Sequence, residues 1–227
     1  MRKIIAGAFL SLDGVMQAPG GPQEDPSGGF EYGGWTWTYW DDAIAAVMSE
    51  GFEAPFDLLL GRKTYDIFAA YWPYVEADAT QGCFKADVAQ VFNRVTKYVA
   101  THTPKTLQWQ NSQGLGEDIV ATLRDLKQQD GPDLLVQGSS VLLQTLLAND
   151  LIDELRLLIY PLSLGKGKRL FGEGALPAAY RLVKSSTSPS GVLMATYERA
   201  GDIQIGSFDL LEHPTGQEIE RRKHLEA

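Results

Sequence analysis

Three stretches of this 227-residue chain combine glycine, hydroxyl and cationic side chains at spacings suited to a polyanionic ligand. The first, LLLGRKT, sets Gly61, Arg62, Lys63 and Thr64 directly after an apolar run. A strand that ends at a glycine and gives way at once to a helix presents unpaired backbone N–H groups and the positive end of the helix dipole, which suits a phosphate. Gly61 permits close approach of that backbone, and a guanidinium beside an ammonium favours a nucleotide with an additional 2′-phosphate. The second, LVQGSSV, repeats the arrangement with Gly138, Ser139, Ser140 and Val141. These small residues let a pyrophosphate lie against a helix start, although the stretch is neither GxGxxG nor a Walker loop. The third, Tyr160 to Phe171, is a glycine-rich loop containing Lys166, Lys168 and Arg169. Two carboxylates are candidates for handling a proton: Asp13 in an SLDG turn, then Asp42 in a DD pair. Trp40 and Trp72 are candidate walls of a substrate pocket, and both are also ordinary core types.

The elements that must position these residues follow from periodicity and punctuation. Residues 2–10 read as a buried strand rather than a targeting segment, because the apolar run breaks at Ser11 and Asp13. Further strands are expected over 56–61, over 95–104 closed by Pro104, and over 133–138 and 153–161. Helices are expected from Asp41 or Asp42, a good N-cap, to Phe52; over RKTYDIFAAYW as far as Pro73; and over FKADVAQVFNR. Two more run over 115–131, ending at Gly131, and over 139–150, capped by Ser139 or Ser140. Residues 179–187 and 192–199 read as a hairpin turning at Ser188-Pro189-Ser190-Gly191. Strands alternating with helices and closed by a hairpin mean an α/β sheet, mostly parallel, with antiparallel strands at one edge.

Composition excludes several classes. Twenty bases against 29 acids give a net charge of −9, which argues against a general binder of nucleic acid or anionic membrane. No run of 18 apolar residues exists, so no membrane span is expected and the cytoplasm is the expected compartment. The single cysteine, Cys83, excludes an intramolecular disulfide and a cysteine-based zinc cluster. His102, His213 and His224 show no ligand spacing with carboxylates, so no metal site is expected. The acidity is also uneven: Ser11 to Asp57 holds nine of the acids and none of the bases. Residues 17–34 within it read as a long Gly/Pro-rich loop, the kind that serves as a lid or stays disordered. The expected division is one domain over 1–200 and a charged tail over 201–227.

Taken together and in this order, AGAFLSLDGV, LLLGRKTYDIF, LVQGSSVLLQTLL and LIDELRLLIYPLSLGKGKRLF resemble the dihydrofolate reductase-like superfamily. More narrowly, they resemble the reductase domain of the riboflavin-biosynthesis deaminase/reductase (RibD C-terminal domain-like) family. The resemblance implies a three-layer α/β fold, NADPH as hydride donor, a pterin-like or (ribosyl)aminopyrimidine-like heterocyclic acceptor, and a homodimer through the C-terminal strands. By position it puts Gly61, Arg62, Lys63 and Thr64 at the pyrophosphate and 2′-phosphate, and Thr101 on the adenosine side. It puts Gly138, Ser139, Ser140 and Val141 under the pyrophosphate and nicotinamide ribose, and Ala8 with the Ser11–Val15 turn beside the nicotinamide and substrate. Of the carboxylates, Asp13 matches the riboflavin-type relatives, while Asp41 and Asp42 fall near the acid that folate enzymes carry on their first helix. No deaminase zinc signature accompanies the domain. The acidic 11–57 stretch is a poor setting for a phosphomonoester unless Lys166, Lys168 or Arg169 reaches it, so an uncharged heterocycle fits at least as well. A reading of another class is a non-catalytic NADPH-binding or regulatory protein on the same fold, which would bind the cofactor without turnover.

Overall fold

In the computed structural model, residues 1–75, 84–172, 174–206 and 214–225 are described; Cys83 and His213 fall outside them. The strands are β1 (Ile4–Ser11), β2 (Phe56–Gly61), β3 (Lys97–Ala100), β4 (Ser112–Gly114), β5 (Asp133–Gln137), β6 (Glu154–Tyr160), β7 (Tyr180–Thr187) and β8 (Leu193–Arg199). They form one sheet in the order β4-β3-β2-β5-β1-β6-β8-β7. Every pairing from β4 across to β6 is parallel, and β8 and β7 add antiparallel strands at the far edge. The helices are α1 (Asp42–Glu50), α2 (Arg62–Ala69), α3 (Phe84–Arg94), α4 (Ile119–Gln128), α5 (Ser140–Ala148) and α6 (Gly216–Lys223). The fold is the dihydrofolate reductase-like α/β arrangement. Among the described residues no helix is long and apolar enough to cross a membrane.

The period-two pattern of β1 builds the three layers. Ile4, Ala6, Ala8 and Leu10 face α4 and α5, packing with Leu123, Leu126, Leu143 and Leu146. On the opposite face the core divides in two. Ile5 joins Leu58, Leu60 and Leu135 under Tyr65 of α2 and Val88 and Phe92 of α3. Phe9 joins Leu158 and Tyr160 under Ile44, Val47 and Met48 of α1. Because β1, β2, β3 and β5 run parallel, their C-terminal ends lie along one edge of the sheet, where strand-to-helix turns gather.

Three local features differ from the sequence reading. β4 carries the sequence SQG, with no apolar alternation to mark it, and exists because β3 offers it a ladder. β3 ends at Ala100 rather than at Pro104, since the Thr101 hydroxyl accepts the Thr103 N–H at 3.1 Å and turns the chain out of the sheet. α4 starts at Ile119 rather than 115, because Asp118 accepts the Ala121 N–H at 2.9 Å and caps it there.

A lysine is fully buried at the start of β3. Lys97 is inaccessible to solvent, and its ammonium donates to the carbonyls of Asn93, Val95 and Gln110 at 2.9–3.0 Å. It lies 4.4 Å from the centroid of the Trp109 ring. One side chain thus ties the end of α3 to the connection before β4, and burial pushes its pKa down to about 8. Lys97→Met keeps the apolar stem but leaves three carbonyls without their donor. The expected loss is about 2 kcal/mol or more, measured as a reduced urea midpoint with an unchanged slope.

Candidate active site

Two strand-to-helix turns meet at the parallel edge and are stitched together. The Gly61 N–H, at the end of β2, donates to the Ser139 hydroxyl at 3.0 Å. The Ser139 N–H donates to the Thr64 hydroxyl, also at 3.0 Å. Of Ser139 and Ser140, the two expected caps of α5, Ser139 takes the N-cap position, but its hydroxyl makes no capping bond to that helix and serves this cross-link. Gly138 and Ser139 both have φ near +59°, a left-handed pair that turns the chain from β5 into α5. The turns approach closely: a Cβ on Gly61 would lie 3.5 Å from the Ser139 Cβ and 3.6 Å from the Leu142 Cβ. The starts of α2 and α5 are thereby held side by side, with Ser140 half-buried and Val141 exposed at the first turn of α5.

Arg62 reaches along the edge. Its Nε forks onto Asp66, 2.8 and 3.0 Å from the two carboxylate oxygens, one turn along α2. Its Nη1 lies 3.3, 2.9 and 2.6 Å from the hydroxyls of Thr101, Thr103 and Thr106. Thr103, Thr106 and Asp66 are additions to the sequence reading. The signal for the first two was the run THTPKT, whose three hydroxyls directly follow a strand.

Lys63 points instead to the long acidic loop. Its ammonium pairs with Asp25, and the other oxygen of that carboxylate takes a 2.6 Å bond from Lys168. The Ser27 hydroxyl and N–H complete the shell at 2.6 and 3.1 Å. Burial pushes the Asp25 carboxyl up, but the two lysines and Ser27 outweigh it and hold it well below the ordinary carboxylate range. Gln17 stitches the same loop, donating to the carbonyls of Asp25 and Ser27 at 2.9 Å and accepting the Lys168 N–H at 3.0 Å. A cavity of about 270 Å³ remains between Gln17, Ser27, Phe30 and residues 166–168.

Of the two candidate acids, Asp13 is committed. It accepts from the Ser11 hydroxyl at 2.6 Å, from the Leu164 and Gly165 N–H groups at 3.1 and 2.9 Å, and from Arg169 at 3.3 Å. The Ser11 bond, with the two backbone bonds, overrides burial and lowers its pKa to about 2. A carboxyl in that range is ionised at neutral pH and has no proton to give; its geometry is that of a tie between the β1 turn and the Gly165 loop. Asp42 is exposed in the first turn of α1, where Asp41 is the cap, accepting the Ile44 N–H at 3.0 Å.

The remaining sequence candidates divide. Thr101 lies in the Arg62 cluster. Ala8 is buried toward α4 and α5, so its side chain faces away from the α1 side of the sheet. Val15 is fully buried beneath the glycine-rich loop; a Cβ on Gly167 would meet its Cγ1 at 2.6 Å. Trp40 is partly exposed and meets Phe84 at 5.3 Å between ring centroids, bridging the approach to α1 and the start of α3. Trp72 is packed against Phe68, Tyr71 and Phe92, so its ring is taken up by the α2–α3 core.

A family model described as the RibD C-terminal domain matches residues 2–194. Among curated proteins, the chain is similar to the uncharacterized protein YyaP of Bacillus subtilis, with 26% identity over 204 residues, 88% of this chain and 96% of that one. Among solved structures, it is similar to a putative riboflavin biosynthesis protein from a Shewanella species, with 22% identity, a TM-score of 0.56, and coverage of 87% of this chain and 99% of the other. It is also similar to dihydrofolate reductase from Enterococcus faecalis complexed with NADP(H), with 14% identity, a TM-score of 0.52, and coverage of 87% and 96%. At these identities the likeness to solved structures is one of fold.

The tie made by Asp13 has a pH signature. Its folded pKa of about 2 lies below the ordinary value of 3.8, so the stability it contributes is present above that value and is lost as pH falls toward 2. Asp13→Asn is expected to melt lower than the wild type at pH 6. The gap should narrow steadily between pH 5 and about pH 2, as followed by thermal denaturation in a pH series.

Proposed function

Since the chain belongs to the RibD C-terminal domain family, we propose that it is a cytoplasmic NADPH-dependent reductase that passes a hydride to an uncharged heterocycle of pterin or aminopyrimidine type. The observation that carries this reading is the pair of cross-linked turns with Arg62 beside them. Arg62 directs one nitrogen toward three neutral hydroxyls rather than a second carboxylate, so its charge remains available on that side. This cluster suits a 2′-phosphate, and the adjoining starts of α2 and α5, with the left-handed Gly138–Ser139 pair, suit a pyrophosphate.

In this reading the cofactor supplies the hydride, and the chain's own residues bind and orient it. Gly61, Thr64, Gly138, Ser139 and Ser140 hold the pyrophosphate, Arg62 with Thr101, Thr103 and Thr106 holds the 2′-phosphate, and Lys63, paired with Asp25, ties the start of α2 to the long loop. Val141, exposed and apolar, covers the nicotinamide side. Ala8 and Val15 contribute by shaping β1 and its turn rather than by side-chain contact. Trp40 walls the acceptor groove with Phe84. No carboxylate is assigned to proton delivery: Asp13 is committed to the Gly165 loop, and Asp42 is exposed in the first turn of α1.

The bases that might have received a phosphorylated acceptor are largely engaged. Lys168 holds Asp25, Arg169 holds Asp13, and Lys166 donates to the Gly29 carbonyl at 2.6 Å. This supports an uncharged acceptor. A homodimer is part of the same proposal: β7 is an edge strand whose Leu182 and Val183 stay half exposed, and such an edge calls for cover.

Titration with NADPH and NADH tests the reading. Wild type should bind NADPH more tightly, and Arg62→Met should weaken NADPH about tenfold or more while changing NADH little. Failure to bind either nucleotide overturns the reading, and binding without turnover of any pterin or pyrimidine leaves a binding protein in its place. In sedimentation, the double variant Leu182→Lys, Val183→Lys is expected to be monomeric where wild type is dimeric; a monomeric wild type overturns the dimer.

A further inference from the structure

We propose that a cavity between α2 and the connection from β3 to β4 binds a small organic cation through Asp66, and that Arg62 couples its occupancy to the nucleotide site. The coupling, though not the cavity, rests on the reductase reading. The cavity holds about 540 Å³, within the range of small-molecule sites. Tyr65 and Asp66 of α2, Tyr74 in the turn that follows, and Gln108 and Trp109 in the approach to β4 bound it. The walls are fixed by hydrogen bonds. The Tyr65 hydroxyl accepts the Trp109 backbone N–H at 2.8 Å, and the Trp109 ring N–H donates to the Asn93 side chain at 2.7 Å. Neither Gly61 nor Ser139 lines the cavity. It meets the candidate nucleotide site only through Asp66 and Thr106, which line it and also hold Arg62.

The lining selects the ligand. Among the described residues on the wall, Asp66 is the one ionised side chain and no base is present, so an anion finds nothing to pair with. Aromatic rings attract a cation over their faces. Tyr65, Tyr74 and Trp109 supply such rings, and the Trp109 ring already carries the Lys97 ammonium 4.4 Å from its centroid. The side-chain carbonyls of Gln108 and Gln110 add acceptors. A bare metal ion fits poorly, because the described residues contain no group of three metal-ligating side chains and the cavity is far larger than an ion. Asp66 is half exposed and takes its two bonds from the Arg62 Nε alone, at 2.8 and 3.0 Å, which leaves lone pairs for a second cation. Without nucleotide, Asp66 offsets the Arg62 charge and a further cation gains little. A 2′-phosphate on the threonine side of Arg62 takes over that role, and Asp66 then attracts the organic cation more strongly. By linkage, the cation tightens the nucleotide by the same factor.

The test is calorimetric titration of the full chain with benzamidine and with benzamide, which has the same shape and no charge, first without nucleotide and then with saturating NADPH or NADH. Wild type should bind benzamidine about tenfold or more tightly than benzamide. Asp66→Asn should erase that preference, and Ala70→Trp, which fills the cavity from its rim and leaves Asp66 in place, should weaken both compounds; thermal unfolding checks that each variant is folded. NADPH should tighten benzamidine about threefold or more, and NADH should do so less. Equal binding of the two compounds, binding of neither, or a preference that survives in folded Asp66→Asn overturns the site. Benzamidine binding that NADPH leaves unchanged overturns the coupling. Titration with NADPH alone judges the reductase reading separately: nucleotide binding without benzamidine binding overturns only the inference, whereas benzamidine binding without nucleotide binding overturns the reading and the coupling and leaves the site standing.

Discussion

The site depends first on a single serine held in an unfavourable backbone conformation. A parallel sheet brings the ends of β2 and β5 to the same edge but does not fix how closely the helices that follow approach each other. Ser139 does so, accepting from Gly61 through its hydroxyl and donating to Thr64 through its backbone. Its φ of +59° costs a non-glycine residue about 1–2 kcal/mol. Two hydrogen bonds of about 1 kcal/mol each offset this. With α2 anchored this way, Arg62 starts where its guanidinium can reach the three threonines beyond β3.

The acidic segment acts in the structure as a set of fastenings. Asp57 pairs with Arg2, Asp13 with Arg169, Glu50 with Lys184, and Asp25 with Lys63 and Lys168. In each case an acid from residues 11–57 takes a base from outside them, so the charge asymmetry of the sequence becomes cross-linking between distant parts of the chain. The field that a run of unpaired acids would create is much reduced. The bases of the glycine-rich loop are engaged in the same way, Lys168 by Asp25 and Arg169 by Asp13. Asp25 also links the long loop to the first turn of α2, so the loop and the candidate nucleotide site share Lys63.

The fold was largely legible because its signals are local. Apolar runs ending in glycine marked β2 and β5, the Asp41-Asp42 pair marked the start of α1, and the Ser-Pro-Ser-Gly turn marked the β7–β8 hairpin. β4 was not legible, because a three-residue strand of polar residues owes its existence to a neighbour's unpaired ladder. The candidate nucleotide turns were legible for the same reason as the strands: each is contiguous in sequence. The fastening of the long loop was not, because Asp25, Lys63 and Lys168 lie far apart in the sequence and carry no shared motif.

By itself, then, the sequence determined the order of elements, the two glycine turns and the placement of acids and bases along the chain, since all of these depend on near neighbours. Only the tertiary structure decided what those groups face. Asp13 is a candidate proton donor in a one-dimensional reading; in the folded chain the Ser11 hydroxyl lowers its pKa most, and the Leu164 and Gly165 N–H groups, more than 150 residues away, add to this and make the carboxylate a tie. Lys63 resembles a free cation and is shared with Asp25. A titratable group is governed by the charges and hydrogen bonds within a few ångströms of it, and that neighbourhood exists only once the chain has folded.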